Sequence, residues 1–451
     1  MTDRSRAYNN PFVIALGKTV QALARLRGGG GSAFPGLVVD KVAPSFAPKV
    51  LGSLPCGVVV ISATNGKTTT TKIVTELLQS QNLRVLTNDS GSNFMRGVIA
   101  ALLSRITLGG RLDADIAVLE LDEAHAVQFA KRVPPRYTLL LNVMPDQLDR
   151  FGTVEYTARL LRQVAHMTTG AVIANREDRH LVELATTPPP QARLLWFGLA
   201  PQLRDDFIQK EEKAQLDAGV AILDERLHAA VELAAVDGSW ASFEIDGSTL
   251  TTALTLKGVY NAYNAAAALA LTKEILSQRD GTDKQEHNSQ LNAQLIEALA
   301  QVQSAFGRGE SFVIEGQPVE MVLVKNAGGF RLALESFDPS NSATMIVIND
   351  DIGDGRDVSW LFDVDFSSLR KPGVALVSGT RAWDMALRLG YDEVPCHQVE
   401  SDPLTALDCL LTCRDTLSGA PQPLQIYCTY TAMTKLRPRL STQADARRVS
   451  L

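Results

Sequence analysis

The sequence predicts an α/β protein: a central parallel-sheet nucleotide-binding domain plus a C-terminal, Rossmann-like α/β domain. Three observations predict it. Between residue 57 and about 175, apolar strand candidates alternate with helical stretches, the pattern of a parallel sheet covered by helices. The runs "DIAVLEL" and "YTLLLNV" lack polar alternation, as strands buried on both faces do. A β-branched run, Val58 to Ile61, then enters a short polar turn ending in Gly66-Lys67-Thr68 before a helix-like pattern, the layout of a phosphate-binding loop.

In chain order, residues 1–50 form an N-terminal helix and lead-in segment. In "PFVIALGKTVQALARLRGGGGSAFPG", Phe12, Ile14, Leu16, Val20, Leu23 and Leu26 recur at helical spacing, and glycines end the helix. Such a helix either docks on its own domain, the favoured reading, or lies on a membrane surface; the pattern does not decide. "GGGGS" reads as a flexible turn. The central domain is expected over 51–305, with strands at 57–62, 83–87, 115–121, 137–142 and 171–174 and helices at 67–80, 93–105, 123–131 and 155–167. Residues 200–250 are charged, with a possible hairpin in "DGSWASFEIDGSTLTTALTL". A helix begins near Asn261, and the polar "QRDGTDKQEHNSQ" reads as an exposed loop. The second α/β domain is expected over 306–451, with strands at 320–324, 344–348, 373–377 and 424–428.

Bulk properties narrow the class. A chain of 451 residues suffices for two or three domains, and 45% hydrophobic with 21% charged residues is ordinary globular composition. The net charge of −6 argues against broad nucleic-acid binding. No apolar run is long enough to span a bilayer, and the N-terminus lacks the basic region, apolar core and cleavage site of a signal peptide. A soluble cytoplasmic protein is therefore expected. The five cysteines include Cys409 and Cys413 four apart, with no second pair or histidine cluster to complete a zinc site. Reduced, buried thiols are the expectation.

The phosphate loop departs from the usual pattern in one place: Ile61 stands five residues before Gly66, where a first glycine is common. Ala63 is small and Gly66 keeps the tightest position, so backbone N–H groups and a helix N-terminus can still receive an anion. Lys67 can reach β- and γ-phosphates, and the Thr68 hydroxyl can ligate Mg²⁺. A chance Gly-Lys-Thr in a strand–turn–helix connection is the competing reading. Mg²⁺ needs a further carboxylate, commonly at another strand end. In "DIAVLELDEAH", Glu120 closes an apolar strand and Asp122 and Glu123 follow; one of them near the loop would serve. "LLLNVMPDQLDRFGT" ends a neighbouring strand in Asn142, Asp146, Gln147 and Asp149, as suits the crevice at the carboxyl ends of an open sheet.

Together these residues resemble the Mur ligase superfamily, so a Mur-ligase-like architecture is expected. "ATNGKTTT" is similar to its ATP loop, which implies that Thr64, Asn65, Gly66, Lys67, Thr68 and Thr69 bind ATP. "LELDEA" is similar to its magnesium-binding strand, which implies Thr68 and Glu120 as Mg²⁺ ligands. "LNVMPDQLDRFGT" resembles its Asn-x-x-x-Asp-x-Leu-Asp segment, with Asn142 at the nucleotide. "LKGVYNAYNAAAALAL" resembles its adenine-contacting segment, with Asn261 and Asn264 there. Within the superfamily, "TNDSGSNFMRG", "AFGRGESFVIEG", "MVLVKNAGGFRLAL", "INDDIGDGRDVSWLFDVDF", "SGTRAWDMALRLGY" and "YCTYTAM" resemble the MurT family of ligase subunits.

That resemblance implies an ATP-dependent carbon–nitrogen ligase working in a heterodimer with a GatD-like glutaminase. The ligase activates the D-glutamate α-carboxylate of lipid II as an acyl phosphate, and glutamine-derived ammonia displaces the phosphate to give D-isoglutamine. It implies ATP and Mg²⁺, action at the inner membrane face, and a C-terminal domain contacting the partner. Lys67 and Glu120 are then catalytic, while Arg308, Lys325 and Asn326 are expected to face the nucleotide crevice when the C-terminal domain closes, with surface positions in loops as the competing reading. The ligase chain also supplies the acid that orients the partner's catalytic histidine; Asp354 and Asp357 in "DGRDVSW" are both candidates, and turn-capping is the competing role for each. Three departures matter. The four cysteines of many relatives are missing around 200–240, so no structural zinc is expected and His228 reads as a surface residue. Leu160 stands near the position of a modified lysine, and Gln147 replaces a histidine of several relatives. An amino-acid-adding Mur or folylpolyglutamate-type ligase, and a non-catalytic ATP-binding scaffold, are the alternative functions.

Overall fold

Val58–Ser62, an unbroken apolar run ending in a small polar residue, forms β1, and every one of its residues is buried. It lies inside a nine-stranded sheet with β2 (Val85–Thr87), β3 (Ile116–Glu120), β4 (Tyr137–Leu140), β5 (Ala171–Asn175), β6 (Arg193–Leu199), β7 (Ala229–Asp237), β8 (Trp240–Ile245) and β9 (Ser248–Ala253), in the order β2-β3-β1-β4-β5-β6-β7-β8-β9. Pairing is parallel through β7 and antiparallel along β7-β8-β9. The chain builds to one side of β1 through β2 and β3, then crosses to the other through β4. β1 therefore flanks a switch point, where ligands collect at strand carboxyl ends. The computed structural model describes residues 8–26, 33–88, 94–144, 153–203, 227–280 without 257, 285–303, and 308–445 without 315, 337–338, 340–341 and 413–422.

The described chain divides into two compact units, one running to Val302 except for Leu256–Tyr260, the other from Gln303 onward. In the first, α1 (Pro11–Leu26), α2 (Phe34–Val42) and α3 (Phe46–Gly52) precede the sheet; α4 (Lys67–Ser80), α5 (Met95–Arg105), α6 (Glu123–Arg132) and α7 (Val154–His166) alternate with its strands; α8 (Val259–Asp280) and α9 (Gln285–Leu299) follow. The favoured reading of α1 is realised. Val13 and Ile14 are buried, Lys18 Nζ donates to Leu103 O at 2.8 Å, and Gln21 Nε2 donates to Ala100 O at 3.3 Å. Burying two such aliphatic side chains stabilises the docking by about 3–6 kcal/mol.

The second unit holds a six-stranded sheet of β10 (Arg308–Ile314), β11 (Gln317–Leu323), β12 (Ala343–Val347), β13 (Leu376–Ser378), β14 (Val399–Glu400) and β15 (Leu424–Cys428), ordered β10-β11-β15-β12-β13-β14. Only β10–β11 is antiparallel. Its helices are α10 (Ala327–Ser336), α11 (Ala382–Tyr391), α12 (Pro403–Thr412) and α13 (Tyr430–Asp445). Phe330 anchors one face, its ring 5.1 Å from Phe366 and 5.4 Å from Tyr427. Buried Arg388 of α11 donates to Leu361 O at 3.0 Å and Val364 O at 2.6 Å, tying the 350–365 segment to the helix.

The α/β class and the expected strands are present, and the expected hairpin is β8–β9. The polar stretch expected as a loop is a correction: α8 runs to Asp280 and α9 starts at Gln285, leaving only 281–284 outside the described residues. Tertiary bonds hold that helix end, since Tyr137 Oη donates to Gln278 Oε1 at 2.9 Å. The thiols also differ from expectation. Cys428 is buried, but Cys56, Cys396 and Cys409 are half-buried cysteines outside any disulfide, and Cys413 lies outside the described residues. No helix among the described residues is long and apolar enough to cross a membrane.

Candidate active site

The turn after β1 is shaped by one glycine. Gly66 has φ +85°, the left-handed region, and immediately precedes α4. A Cβ there would lie 2.6 Å from Asn264 Oδ1, so both conformation and space call for glycine. Ile61, at the position of the missing first glycine, is fully buried and paired with Glu120 of β3 and Leu139 of β4; it belongs to the strand, not the turn. Neighbouring strand ends brace the loop. Asn65 N–H donates to Asn142 Oδ1 at 2.8 Å, and Asn142 Nδ2 donates back to Asn65 O at 3.1 Å. Thr64 N–H donates to Asn142 O at 3.1 Å, and Met144 N–H donates to Thr64 Oγ1 at 3.0 Å. Asn142 thus holds the loop's backbone. Thr69 is buried in the first turn of α4.

Lys67 opens α4 and is only 5% exposed. Its Nζ donates to Ala63 O and, at 3.4 Å, to Thr64 O, and stands 3.3 Å from Asp122 Oδ1. Next to it, Thr68 Oγ1 donates to Glu120 Oε1 at 2.8 Å. The two Mg²⁺ ligands expected from the sequence are therefore already in contact. A hydroxyl and a carboxylate are hard oxygen donors, and Mg²⁺ takes one or two protein oxygens with phosphate and water completing the shell, so the pair fits that ion. Among the described residues, no group of three or more His, Cys, Asp or Glu side chains is gathered for a metal. Asp122 sits just before α6 and faces the lysine, while Glu123 is buried.

Sequence reasoning missed the supports of this corner. Asn88 clamps the backbone of Glu120: Glu120 N–H donates to Asn88 Oδ1 at 3.0 Å, and Asn88 Nδ2 donates to Glu120 O at 2.8 Å. Asn175, at the end of β5, donates through Nδ2 to Leu141 O at 2.8 Å and accepts from Tyr263 Oη, linking α8 to the same strand ends. No local pattern marks these two asparagines; a polar residue closing an apolar strand was the available signal. Asn261 lies half-buried one turn before Asn264 on α8. Asp146, Gln147 and Asp149 lie outside the described residues, and Leu160 is buried in α7.

In the second unit, Arg308 begins β10, and its side chain is outside the described residues. Lys325 is half-buried. Asn326 is buried, and its Oδ1 accepts from Gly329 N–H at 2.8 Å, capping α10. The aspartates of "DGRDVSW" separate clearly. Asp354 is buried, its two oxygens accepting from Thr431 N–H at 2.8 Å and from Thr431 Oγ1 at 2.5 Å, and burial holds its carboxyl above the usual range. Asp357 is exposed, its Oδ1 accepting from Ser359 N–H at 2.8 Å; hydrogen bonding by Ser359 holds it below the usual range.

Residues 61–272 match the family model of the Mur ligase middle domain, and residues 323–433 that of the MurT ligase C-terminal domain. The chain is 28% identical to the lipid II isoglutaminyl synthase (glutamine-hydrolyzing) subunit MurT of Streptococcus pneumoniae, over 94% of this chain and 95% of that one. Among solved structures it is similar to MurF of Acinetobacter baumannii, with TM-score 0.65, 18% identity, and 92% of this chain and 80% of that one covered. MurF of Thermotoga maritima, solved in complex with ADP, gives TM-score 0.63 at 17% identity, over 91% of this chain and 85% of that one.

Proposed function

Because the chain belongs to the Mur ligase superfamily and carries the MurT type of C-terminal domain, we propose that it is the ATP-consuming ligase subunit of an enzyme that amidates lipid II in peptidoglycan synthesis. One observation carries the reading: Lys67, Thr68 and Glu120 converge on a phosphate loop in a chain whose C-terminal part is MurT-like.

A carboxylate resists attack by ammonia, so it must first gain a leaving group. The D-glutamate α-carboxylate attacks the γ-phosphorus of ATP, the bond to the β-phosphate oxygen breaks, and ADP leaves. Ammonia then adds to the acyl carbon, phosphate departs with the C–O electron pair, and a proton lost from nitrogen leaves the amide. Lys67, ion-paired with Asp122, turns from the loop carbonyls to the γ-phosphate and offsets charge there. Thr68 and Glu120 would hold Mg²⁺, which would supply positive charge against the phosphates when bound. Asn264 packs the α8 side of the site against Gly66.

The relative's name describes it as a subunit and as glutamine-hydrolyzing, which supports a glutaminase partner of GatD type for this chain. Of the two aspartates we assign Asp357 to the partner's histidine, because it is exposed and ionised, whereas Asp354 is buried and committed to Thr431. The partner would sit on α11. Trp383 is 70% exposed, Leu387 and Tyr391 continue the same helical stripe, and Phe362, 6.1 Å from Tyr391, joins it to the segment that carries Asp357. The chain would work at the cytoplasmic face of the membrane, where lipid II is made.

The test is ADP release by the purified chain and partner. Lipid II with glutamine or ammonium should stimulate it, and mass analysis should show the product lighter by the exchange of –OH for –NH₂. Stimulation by a free amino acid instead would favour an amino-acid-adding ligase. ADP release indifferent to every acceptor would overturn ligation altogether.

A further inference from the structure

The helix α1 has two apolar faces, and docking accounts for one. Val13, Ile14 and Gly17 turn inward, and a Cβ on Gly17 would meet Val39 and Leu103. On the opposite face, Phe12, Ala15, Thr19, Leu23 and Leu26 follow one another at helical spacing and are exposed, Phe12 by 74%, Leu23 by 56% and Leu26 by 82%. An outward stripe with two leucines and a phenylalanine is unusual on a helix whose other side is already packed.

Charge indicates what covers it. The first 50 residues hold seven Lys and Arg against two Asp, a surplus of five positive charges in a chain whose net charge is −6. One of those aspartates, Asp40, is engaged by Arg132 at 2.8 Å. Gly36 at the start of α2 lies against the Arg96 backbone so closely that a Cβ would be 1.9 Å from Arg96 O. Phe34 and Phe94 beside this contact are both exposed, and Phe94 meets His125 edge to face with centroids 4.2 Å apart, three residues beyond Asp122.

We propose that the outer face of α1 rests on the anionic surface of a lipid bilayer. Apolar side chains enter the headgroup boundary while the surplus positive charge of the N-terminal sequence draws the unit toward anionic lipid, the two-part attraction that holds interfacial helices. The inference rests on the reading that the acceptor is carried by a lipid. It explains how a chain with no spanning helix among its described residues would meet such an acceptor.

The experiment floats the full chain, with partner and without ATP or acceptor, on phosphatidylglycerol-containing vesicles and on phosphatidylcholine vesicles. Anionic vesicles should retain the parent, and Leu23→Glu/Leu26→Glu should reduce partition by about tenfold or more, given the burial energy of leucine. Both positions are exposed, so the thermal melt should match the parent's, and Phe12→Ser provides a milder second variant. Amidation of vesicle-borne acceptor should fall in proportion, while amidation of a water-soluble acceptor should not change. Equal partition of parent and variants, or none of the parent, overturns the proposal. So does light scattering in which the parent self-associates and the double variant does not, or loss of partner binding by that variant, since another protein surface would then cover the face. Because flotation uses no acceptor, a chain that binds vesicles but never amidates would sink the functional reading alone.

Discussion

Gly66→Ala should damage nucleotide binding through two separable effects. At φ +85° an L-residue costs about 1–2 kcal/mol relative to glycine, which alone corresponds to about a 5–30-fold loss of the binding-competent loop. The second effect is steric. The new Cβ would lie 2.6 Å from Asn264 Oδ1, far inside any real carbon–oxygen contact, so the Asn264 side chain must move aside or α8 and the loop must shift. The assay is calorimetric titration with a non-hydrolysable ATP analogue, alongside acceptor-dependent ADP release. Gly66→Ala should weaken the analogue by at least the conformational share. Asn264→Ser, tested alone, sets the loss from that side chain. In the double variant the clash is relieved while the strained φ remains, so its loss should be smaller than the product of the single losses. Parent-like affinity in Gly66→Ala, or single losses that multiply in full, would refute the argument that this glycine is fixed by both space and conformation.

Three further outcomes follow from the geometry. Glu120→Gln and Thr68→Val should each raise the Mg²⁺ concentration needed for half-maximal ADP release and lower the maximal rate by about tenfold or more, because each removes a hard oxygen from the pair; an unchanged Mg²⁺ titration would contradict their assignment. Asp357→Asn should slow glutamine hydrolysis in the complex by about 10³–10⁴-fold, while Asp354→Asn should leave most of it. The Asp357 carboxyl is held below its usual value, so it stays ionised above the ordinary carboxylate range and its small contribution to stability is lost only as pH falls through the lowered value; an Asp357-dependent acid limb near neutrality would count against this. Trp383→Ser with Leu387→Ser should weaken the complex with the partner by about tenfold or more without altering the thermal melt, read by calorimetric titration.

What could be read from sequence was what neighbouring residues determine among themselves. Val58 to Thr68 announces strand, turn and helix in a single stretch, and the structure keeps all three. The residues alone left Glu120, Asp122 and Glu123 open as the metal carboxylate, and only the resemblance of "LELDEA" to the family's magnesium-binding strand singled out Glu120. Asn88 and Asn175 were not legible, since their value lies in backbone groups 32 and 34 residues away. The same limit applied to Asp354 and Asp357, equivalent as letters and distinguished by Thr431, 77 residues on from Asp354. β6 and β10 escaped because each gains its strand character from neighbours, β6 between β5 and β7, and β10 along β11. The end of α8 was misread for a related reason: Gln278 and Arg279 look like loop composition until Tyr137 and the carbonyl of Gln81 are set against them.

The hold of Ala63 and Thr64 on Lys67 bears on kinetics. A triphosphate entering the turn finds an ammonium with acceptors already at hand, so its arrival is a trade of oxygens around one nitrogen rather than the gathering of a wandering side chain. Little rotamer freedom remains to be surrendered in that trade. ATP should therefore enter quickly with a modest entropy penalty, and ADP, lacking the group that outcompetes two carbonyls, should slip away as the lysine returns to them.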